Sequence, residues 1–301
     1  MATRTTGITQ RHEQPAHRLP RDLASLGSVV AVCLVLGIIG WLAPPSAAAQ
    51  VPAGVEARAI TYTSAAAMID AYIAKPAGAA KHPAVLLVHD DLGLNQKFRD
   101  LAHQFAQAGF VALVPHLPSR AKRPAAEEPT GPRPPTAQQT PVAPLTPSQT
   151  VDDVQAAFEF LQKDANVDAT KISAVGVGWG EFRVWRLAER NPTLYRAVVF
   201  YGIVPSDDDR LKTVKTPFLG HYAEYDYLAT ARTLKTKHML GDRFTYFVYP
   251  TVPGFLGGGS GNLQPEPGAS GRMILRKKDA QASAAAAKQA WTRTLDFLRK
   301  G

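Results

Sequence analysis

The chain has 301 residues, a formal net charge of +9 at neutral pH, and 45% hydrophobic residues. This length suits one large α/β domain with a substantial core. The positive charge is spread along the sequence without a compact basic run or interleaved aromatic residues, so we expect no nucleic-acid partner. Cys33 is the single cysteine, which excludes an intrachain disulfide and a cysteine nucleophile in the folded domain.

Residues 1–49 have the pattern of an export signal. A polar segment with a basic excess precedes an almost wholly apolar run over residues 26–43, and small residues follow at 47–49. This pattern is typical of a secretory signal that is cleaved before Gln50. The run also approaches the ~18 to 20 residues that cross a bilayer, so an uncleaved membrane anchor is an open alternative. Both interpretations predict an exported domain over residues 50–301, periplasmic or extracellular.

The first part of this domain predicts a hairpin followed by buried strands. Residues 59–62 and 69–74 alternate as an antiparallel pair does. Residues 84–88 (AVLLV) form a continuous apolar run, which is typical of a strand buried on both faces of a parallel sheet. An amphipathic helix over residues 98–108 and a second buried strand over 110–114 follow.

Residues 118–150 differ in composition from the rest of the domain. They are rich in Pro, Ala, Thr and Gln and contain no aromatic residue. Such a segment buries too little apolar area to offset its ordering entropy, so we predict a flexible or polyproline-like surface insertion. Thr150 and Asp153 then predict the cap of the next helix, whose apolar face includes Val154 and Phe158.

A strand, a glycine turn and a helix follow over residues 171–189. Gly176, Gly178 and Gly180 alternate through the turn, and we expect the helix to begin near Glu181. This is the spacing of the elbow on which α/β-hydrolases place a Ser or Cys nucleophile, but the nucleophile position is Gly178, which has no side chain. A dinucleotide-binding turn would need a third glycine in place of Glu181. Close packing of the strand on the helix is a further interpretation.

The remainder of the chain continues the alternation of strands and helices. An Asp-rich loop over residues 207–209 and a glycine-rich loop over 254–271 separate some of these elements. Alternating buried strands and amphipathic helices predict a mostly parallel, doubly wound sheet with functional loops at the carboxyl ends of the strands. The predicted strands are 197–201, 218–222 and 244–249, and the closing helix is 279–299.

Several segments, in their order and spacing, resemble the dienelactone hydrolase family of α/β-hydrolases. The resemblance covers roughly residues 60–298, without the insertion. Besides the elbow, the matching segments are PAVLLVHDDLGLN (83–95), GFVALVPHL (109–117), AVVFYG (197–202), PFLGHYAEYD (217–226), YPTVPGF (249–255) and AWTRTLDFL (290–298).

The resemblance implies an α/β-hydrolase fold and a carboxylic ester or lactone hydrolase. The family has a Cys or Ser nucleophile, a downstream Asp, a final His and an acidic residue after an early strand. Asp226 matches the Asp, Asp90 matches the early acidic residue, and Gly178 matches the nucleophile. The segment 249–255, where the family has its His, contains none, and none follows His238. Because base and nucleophile act in series, we expect normal hydrolysis to be lost.

Glu181 is expected to matter at the same turn. A carboxylate in the first helical turn suits the helix dipole. An anion beside the oxyanion hole would, however, oppose the negative charge of an ester transition state.

Other polar residues at predicted strand ends are candidate ligand contacts. His89 and Asp90 follow a buried strand, Trp179 lies in the elbow, and His221 lies near another strand end. A metal needs about three well-placed ligands, and ordinary loop polarity explains these residues equally well. We therefore predict no metal and no cofactor.

Three functional hypotheses remain open. In the first, the chain is a catalytically degenerate scaffold that binds a small-molecule ligand or a protein partner. In the second, it is an active ester or lactone hydrolase that uses unconventional residues such as His89 and Asp90. In the third, it is a structural subunit of a membrane complex, associated with the membrane through residues 26–43.

Overall fold

The computed structural model describes residues 51–122, 145–202, 204–224, 226–251, 253–257 and 277–300. The predicted export signal, most of the proline-rich insertion and most of the glycine-rich loop therefore lie outside the described residues. Within those ranges, no helix combines the length and apolarity needed to cross a membrane.

The described residues form an eight-stranded sheet, as the alternation of buried strands and helices predicts. Its strand order is β1-β2-β4-β3-β5-β6-β7-β8. The pairs β1–β2 and β2–β4 are antiparallel and the other neighbours are parallel. The strands are β1 Val55–Ser64, β2 Ala67–Pro76, β3 His82–Val88, β4 Val111–Pro115, β5 Val167–Val177, β6 Ala197–Phe200, β7 Phe218–Ala223 and β8 Phe244–Tyr249.

Helices cover both faces of this sheet, which gives the predicted α/β-hydrolase fold. They are α1 Gln96–Gln107, α2 Pro147–Lys163, α3 Trp179–Arg190, α4 Asp208–Thr213, α5 Tyr227–Leu240 and α6 Lys277–Arg299, with short 3-10 turns at Leu117–Lys122, Gly241–Arg243 and Phe255–Gly257.

Two apolar cores result, one on each face of the sheet. On one face, Trp185 of α3 stacks on Phe218 of β7 with 3.7 Å between the ring centroids. On the other face, Trp291 of α6 packs on Phe105 of α1 at 4.7 Å. Strands β3 and β4 lie between these cores, which explains why their sequences are continuously apolar.

The start of α2 differs from the prediction. The helix begins at Pro147, and Thr146 caps it, because the Thr146 side chain accepts from the Gln149 amide and the Gln149 side chain accepts from the Thr146 amide. Thr150 is instead a buried residue of the first turn. The predicted Thr150 cap was wrong because proline is well tolerated in the first helical turn, so proline content alone does not mark the end of a loop.

The Asp-rich loop also contains a helix. Asp207 is the N-cap of α4, and its side chain accepts from the amide of Arg210. Asp208 and Asp209 occupy the first turn, where carboxylates favour the positive end of the helix dipole.

Candidate functional site

The turn between β5 and α3 has the sharp backbone geometry expected of an elbow. Gly178 has φ 52° and ψ −113°, and its amide donates to the Phe200 carbonyl at 2.9 Å. A Cβ built on Gly178 would meet only the Cβ of Asp90, at 3.6 Å, apart from its chain neighbours. No Ser, Thr, Cys or His atom of the described chain lies within 4 Å of that position. The elbow therefore has space for a nucleophile and does not contain one.

The surrounding glycines are required by close backbone packing. A Cβ on Gly180 would lie 2.4 Å from the Val88 carbonyl oxygen, and one on Gly176 would lie 2.8 Å from the Gly180 oxygen. A Cβ on Gly202 would lie 2.4 Å from the Gly178 oxygen. At these three positions a Cβ would clash with neighbouring backbone, whereas at Gly178 only the positive φ disfavours a side chain.

Glu181, in the first turn of α3, is held in the protein core by three hydrogen bonds. Its side chain is fully buried and accepts hydrogen bonds from the Gly202 amide at 2.6 Å, the Tyr222 hydroxyl at 2.9 Å and the Trp185 indole at 3.1 Å. Burial raises the pKa of Glu181 to about 7; its three hydrogen bonds oppose this shift, and the charge of Asp226 adds to it. These donors hold the Glu181 carboxylate in the core, and its predicted opposition to an oxyanion stays a prediction.

His89 has no free ring nitrogen. It is fully buried, its Nε2 accepts from the Leu117 amide at 3.2 Å, and its Nδ1 lies 2.6 Å from the Asp90 carbonyl oxygen, to which it donates. Burial lowers its pKa to about 4. A neutral imidazole with both nitrogens bound to backbone can position the loop after β3 but has no lone pair left for a ligand.

Trp179 is held between His89 and a cation that the sequence analysis missed. Its ring stacks on His89 at 5.8 Å and 4°, and the Arg183 guanidinium lies 3.3 Å from its centroid. Arg183 also donates to the Trp179 carbonyl and the Thr150 hydroxyl. The spacing of Trp179 and Arg183, four residues apart on a helix, was the available signal.

Asp90 is the residue nearest to the position of a Cβ built on Gly178, apart from its chain neighbours. Its carboxylate forms an ion pair with Lys97 at 3.2 Å, and its other oxygen accepts from the Leu92 amide at 3.1 Å. The carboxylate is thus fixed beside the elbow by α1 and by its own loop.

Tyr201, at the end of β6, is the second residue that the sequence analysis missed. It has φ 36°, which is unusual for a residue with a side chain. Its hydroxyl oxygen is buried, and no acceptor for its proton lies within hydrogen-bonding geometry among the described residues. Burial and the charge of Asp90 raise the pKa of this hydroxyl, while hydrogen bonding from the Leu256 backbone opposes the shift. Only the position of Tyr201 at a strand end pointed to it.

Asp226 and His221 occupy different surroundings. Asp226 lies in the turn after β7, where its amide donates to the Ala223 carbonyl and its charge acts on Glu181. The His221 ring faces α6, with Nε2 3.0 Å from the Thr294 hydroxyl and Nδ1 2.9 Å from the Tyr249 hydroxyl. His221 therefore does not join His89, and the described residues contain no cluster of ligands that could hold a metal.

The sequence of this domain also matches the model of a known family. Residues 69–301 match the family model described as "Dienelactone hydrolase family". The chain belongs to the dienelactone hydrolase family.

Curated relatives of the chain carry the names of hydrolases. A "Putative carboxymethylenebutenolidase" of Methylorubrum extorquens is 26% identical over 196 residues, which are 61% of this chain and 66% of that protein. A protein of Bradyrhizobium named "Probable 2-oxo-3-(5-oxofuran-2-ylidene)propanoate lactonase" is 28% identical over 58% of this chain and 73% of its own length. The chain spans just under two thirds of the first of these relatives.

Solved structures of dienelactone hydrolases share the fold. One from Klebsiella pneumoniae, titled "Putative Dienelactone Hydrolase", has a TM-score of 0.63 at 22% identity and covers 82% of this chain and 99% of its own. The dienelactone hydrolase-like promiscuous phosphotriesterase P91, from metagenomic libraries, has a TM-score of 0.63 at 19% identity and covers 81% of this chain and 98% of its own.

Proposed function

We propose that this chain is a dienelactone hydrolase family protein that has lost nucleophilic catalysis and binds a small carbonyl- or carboxylate-containing ligand beside Gly178. The observation that carries the proposal is the Gly178 backbone, which keeps the elbow conformation and an open Cβ position without a nucleophile. A residue with a side chain would be strained in this conformation, and such conformations are found mainly at functional sites.

The choice of ligand follows from the polar groups beside the elbow. The proton of the Tyr201 hydroxyl has no acceptor among the described residues, and a buried donor left unpaired is costly. A ligand carbonyl or carboxylate oxygen would supply the missing acceptor. His89 and Glu181 are already satisfied and so are not available for this role.

A second candidate is hydrolysis of esters or lactones by unconventional residues. It is favoured by the hydrolase names of the curated relatives and by Asp226, which matches the family's acid by the resemblance of the segment 217–226. It requires a nucleophile from outside the elbow, and His89 is a poor base for it because both ring nitrogens are bound to backbone.

Covalent labelling and turnover separate the two candidates. We expect the purified full chain to be unreactive toward a fluorophosphonate probe and to leave activated aryl esters and dienelactone-type lactones uncleaved. We expect the Gly178→Cys and Pro253→His double variant to gain measurable turnover, because it restores the two missing groups at the family positions. An active-site adduct on the wild-type chain would overturn the proposal.

Ligand binding is tested with an uncleaved dienelactone-type lactone by calorimetry. The Tyr201→Phe variant should bind it about three- to tenfold more weakly, which is the usual value of one hydrogen bond. Tyr195→Phe is the matched control, because the Tyr195 hydroxyl donates to the Lys300 carbonyl at the opposite edge of the sheet. Equal binding by wild type and Tyr201→Phe would show that the Tyr201 hydroxyl does not donate a hydrogen bond to the ligand.

A further inference from the structure

A basic cavity lies at the amino ends of the central strands, opposite the elbow. Its volume is about 380 Å³, and its charged lining consists of Lys81, Lys171, Arg299 and Asp168. Lys81 precedes β3, Asp168 and Lys171 lie early in β5, and Arg299 ends α6. The lining of this cavity therefore contains three positively charged side chains and one carboxylate.

The cations of this cavity are exposed, and one of them also binds backbone, because the Arg299 guanidinium donates to the Ala108 carbonyl at 2.9 Å. Lys81, Lys171 and Arg299 are exposed, and none forms an ion pair within the described ranges. Hydrogen bonds from Thr170 lower the pKa of Asp168, and the two lysines add to this shift from a greater distance. The edge therefore presents a surplus of positive charge.

The described domain begins at the same edge. Val55 pairs with Pro76 at the start of β1, and the Ala77 amide donates to the Gly54 carbonyl at 2.9 Å. From there, Lys75 donates to the Asn166 side chain at 3.1 Å, and the Asn166 carbonyl accepts from the His82 amide at 2.8 Å. Hydrogen bonds thus connect the entry of the chain to the strands that form the basic cavity.

A short segment joins this entry point to the predicted membrane anchor. The apolar run ends at Ala43, and seven residues, 44–50, precede Val51. Fully extended, this segment spans at most about 30 Å. A bilayer that holds residues 26–43 would consequently keep the entry edge of the domain close to its surface.

We propose that this basic edge docks on an anionic lipid surface while residues 26–43 remain uncleaved in the bilayer. Lipid head groups with negative charge complement the three exposed cations, and attraction of this kind acts within roughly one Debye length, about 10 Å, of the membrane. The elbow, at the other end of the parallel strands, then faces away from the lipid. This inference is independent of the chemistry at Gly178.

The test measures which edge of the domain approaches the lipid. The full chain carries one cysteine, so Cys33→Ser provides a background for a fluorescent label at exposed Ala80, beside Lys81, or at exposed Leu92, beside the elbow. Each labelled chain is reconstituted in phosphatidylcholine vesicles, with or without phosphatidylglycerol, that contain a quencher attached to lipid. We expect stronger quenching for Ala80→Cys than for Leu92→Cys, and only when phosphatidylglycerol is present.

Charge variants identify the groups responsible. Lys81→Ala and Lys171→Ala should each lower the ratio of docked to undocked domain about fivefold, the effect of one cation near an anionic surface. Lys288→Ala, which removes an exposed lysine midway along α6, should leave the ratio unchanged. Equal quenching at both labels, no dependence on phosphatidylglycerol, or a membrane-purified chain whose mass corresponds to residues 50–301 would overturn the proposal.

Discussion

At the scale of single residues, Gly178 has the backbone conformation of a sharp strand-to-helix turn but supplies no side chain. The turn keeps φ 52° and ψ −113° because its neighbours are packed backbone to backbone. A glycine adopts this conformation with little strain, whereas a residue with a side chain is strained in it. The turn therefore keeps its sharp backbone geometry with a residue that has no side chain at its centre.

Because of this difference, we expect an alanine to be tolerated better at Gly178 than at Gly180. Gly178→Ala should fold and lose about 1 to 3 kcal/mol of unfolding free energy, because only backbone strain opposes it. Gly180→Ala should lose about 4 kcal/mol or more, because its Cβ would lie 2.4 Å from the Val88 carbonyl oxygen. Urea unfolding of both variants measures the difference, and equal losses would show that steric closure does not set the tolerance of the elbow.

At the scale of secondary structure elements, the Glu181 carboxylate connects three segments of the chain through hydrogen bonds. Its carboxylate links the start of α3 to the loop after β6 through Gly202 and to β7 through Tyr222. No cation neutralises it among these partners, so burial dominates and its pKa is raised from 4.5 to about 7.

The sign of the resulting pH dependence follows from this raised pKa. A carboxyl group with a higher pKa in the folded state contributes most below pH 4.5 and loses its contribution as the pH rises toward 7. Relative to Glu181→Gln, the wild type should therefore lose on the order of 3 kcal/mol of unfolding free energy over this interval. Urea titrations at several pH values check this prediction.

The control for that measurement is the exposed Glu159→Gln. It removes a carboxylate at the surface instead of the buried one, and it should leave the pH dependence of stability as in the wild type. A Glu181→Gln variant with the wild-type pH dependence would exclude Glu181 as the titrating group.

At the scale of the whole molecule, two buried histidines change the stability with pH in the direction opposite to that of Glu181. His89 and His221 stay neutral in the folded protein, with pKa values lowered by burial from 6.5 to about 4 and about 3. Their contribution to stability is complete above pH 6.5 and is lost as the pH falls toward these values, by about 1.4 kcal/mol per pH unit for each histidine. Between pH 6.5 and 4.5, Glu181 partly offsets this loss.

We therefore predict that His221→Gln will unfold with a weaker pH dependence than wild type between pH 6.5 and 4.5. The glutamine cannot take up a proton in the unfolded state, although it is expected to lower stability at pH 7 by weakening the bonds to Tyr249 and Thr294. His238→Gln, at an exposed site, is the matched control. An unchanged slope in His221→Gln would exclude this histidine as a source of acid sensitivity.

Sequence reasoning succeeded where a local pattern was sufficient. The continuous apolar runs predicted β3 and β4, and alternation predicted the β1–β2 pair. It failed where a distant segment decided the outcome. Glu181 is bound by donors 21 and 41 residues away, which no local spacing reveals.

The sequence by itself determined which chemical groups are present: Gly178 at the centre of the turn, Asp226 after a strand, and no histidine after His238. It also determined the order of strands and helices, because hydrophobic period depends only on neighbouring residues. Only the tertiary structure decided that His89 has both nitrogens occupied, that the buried Tyr201 hydroxyl has no acceptor among the described residues, and that the basic residues meet at the entry edge. Burial and hydrogen-bond partners are set by segments far apart in the chain, so they exist only once the sheet has assembled.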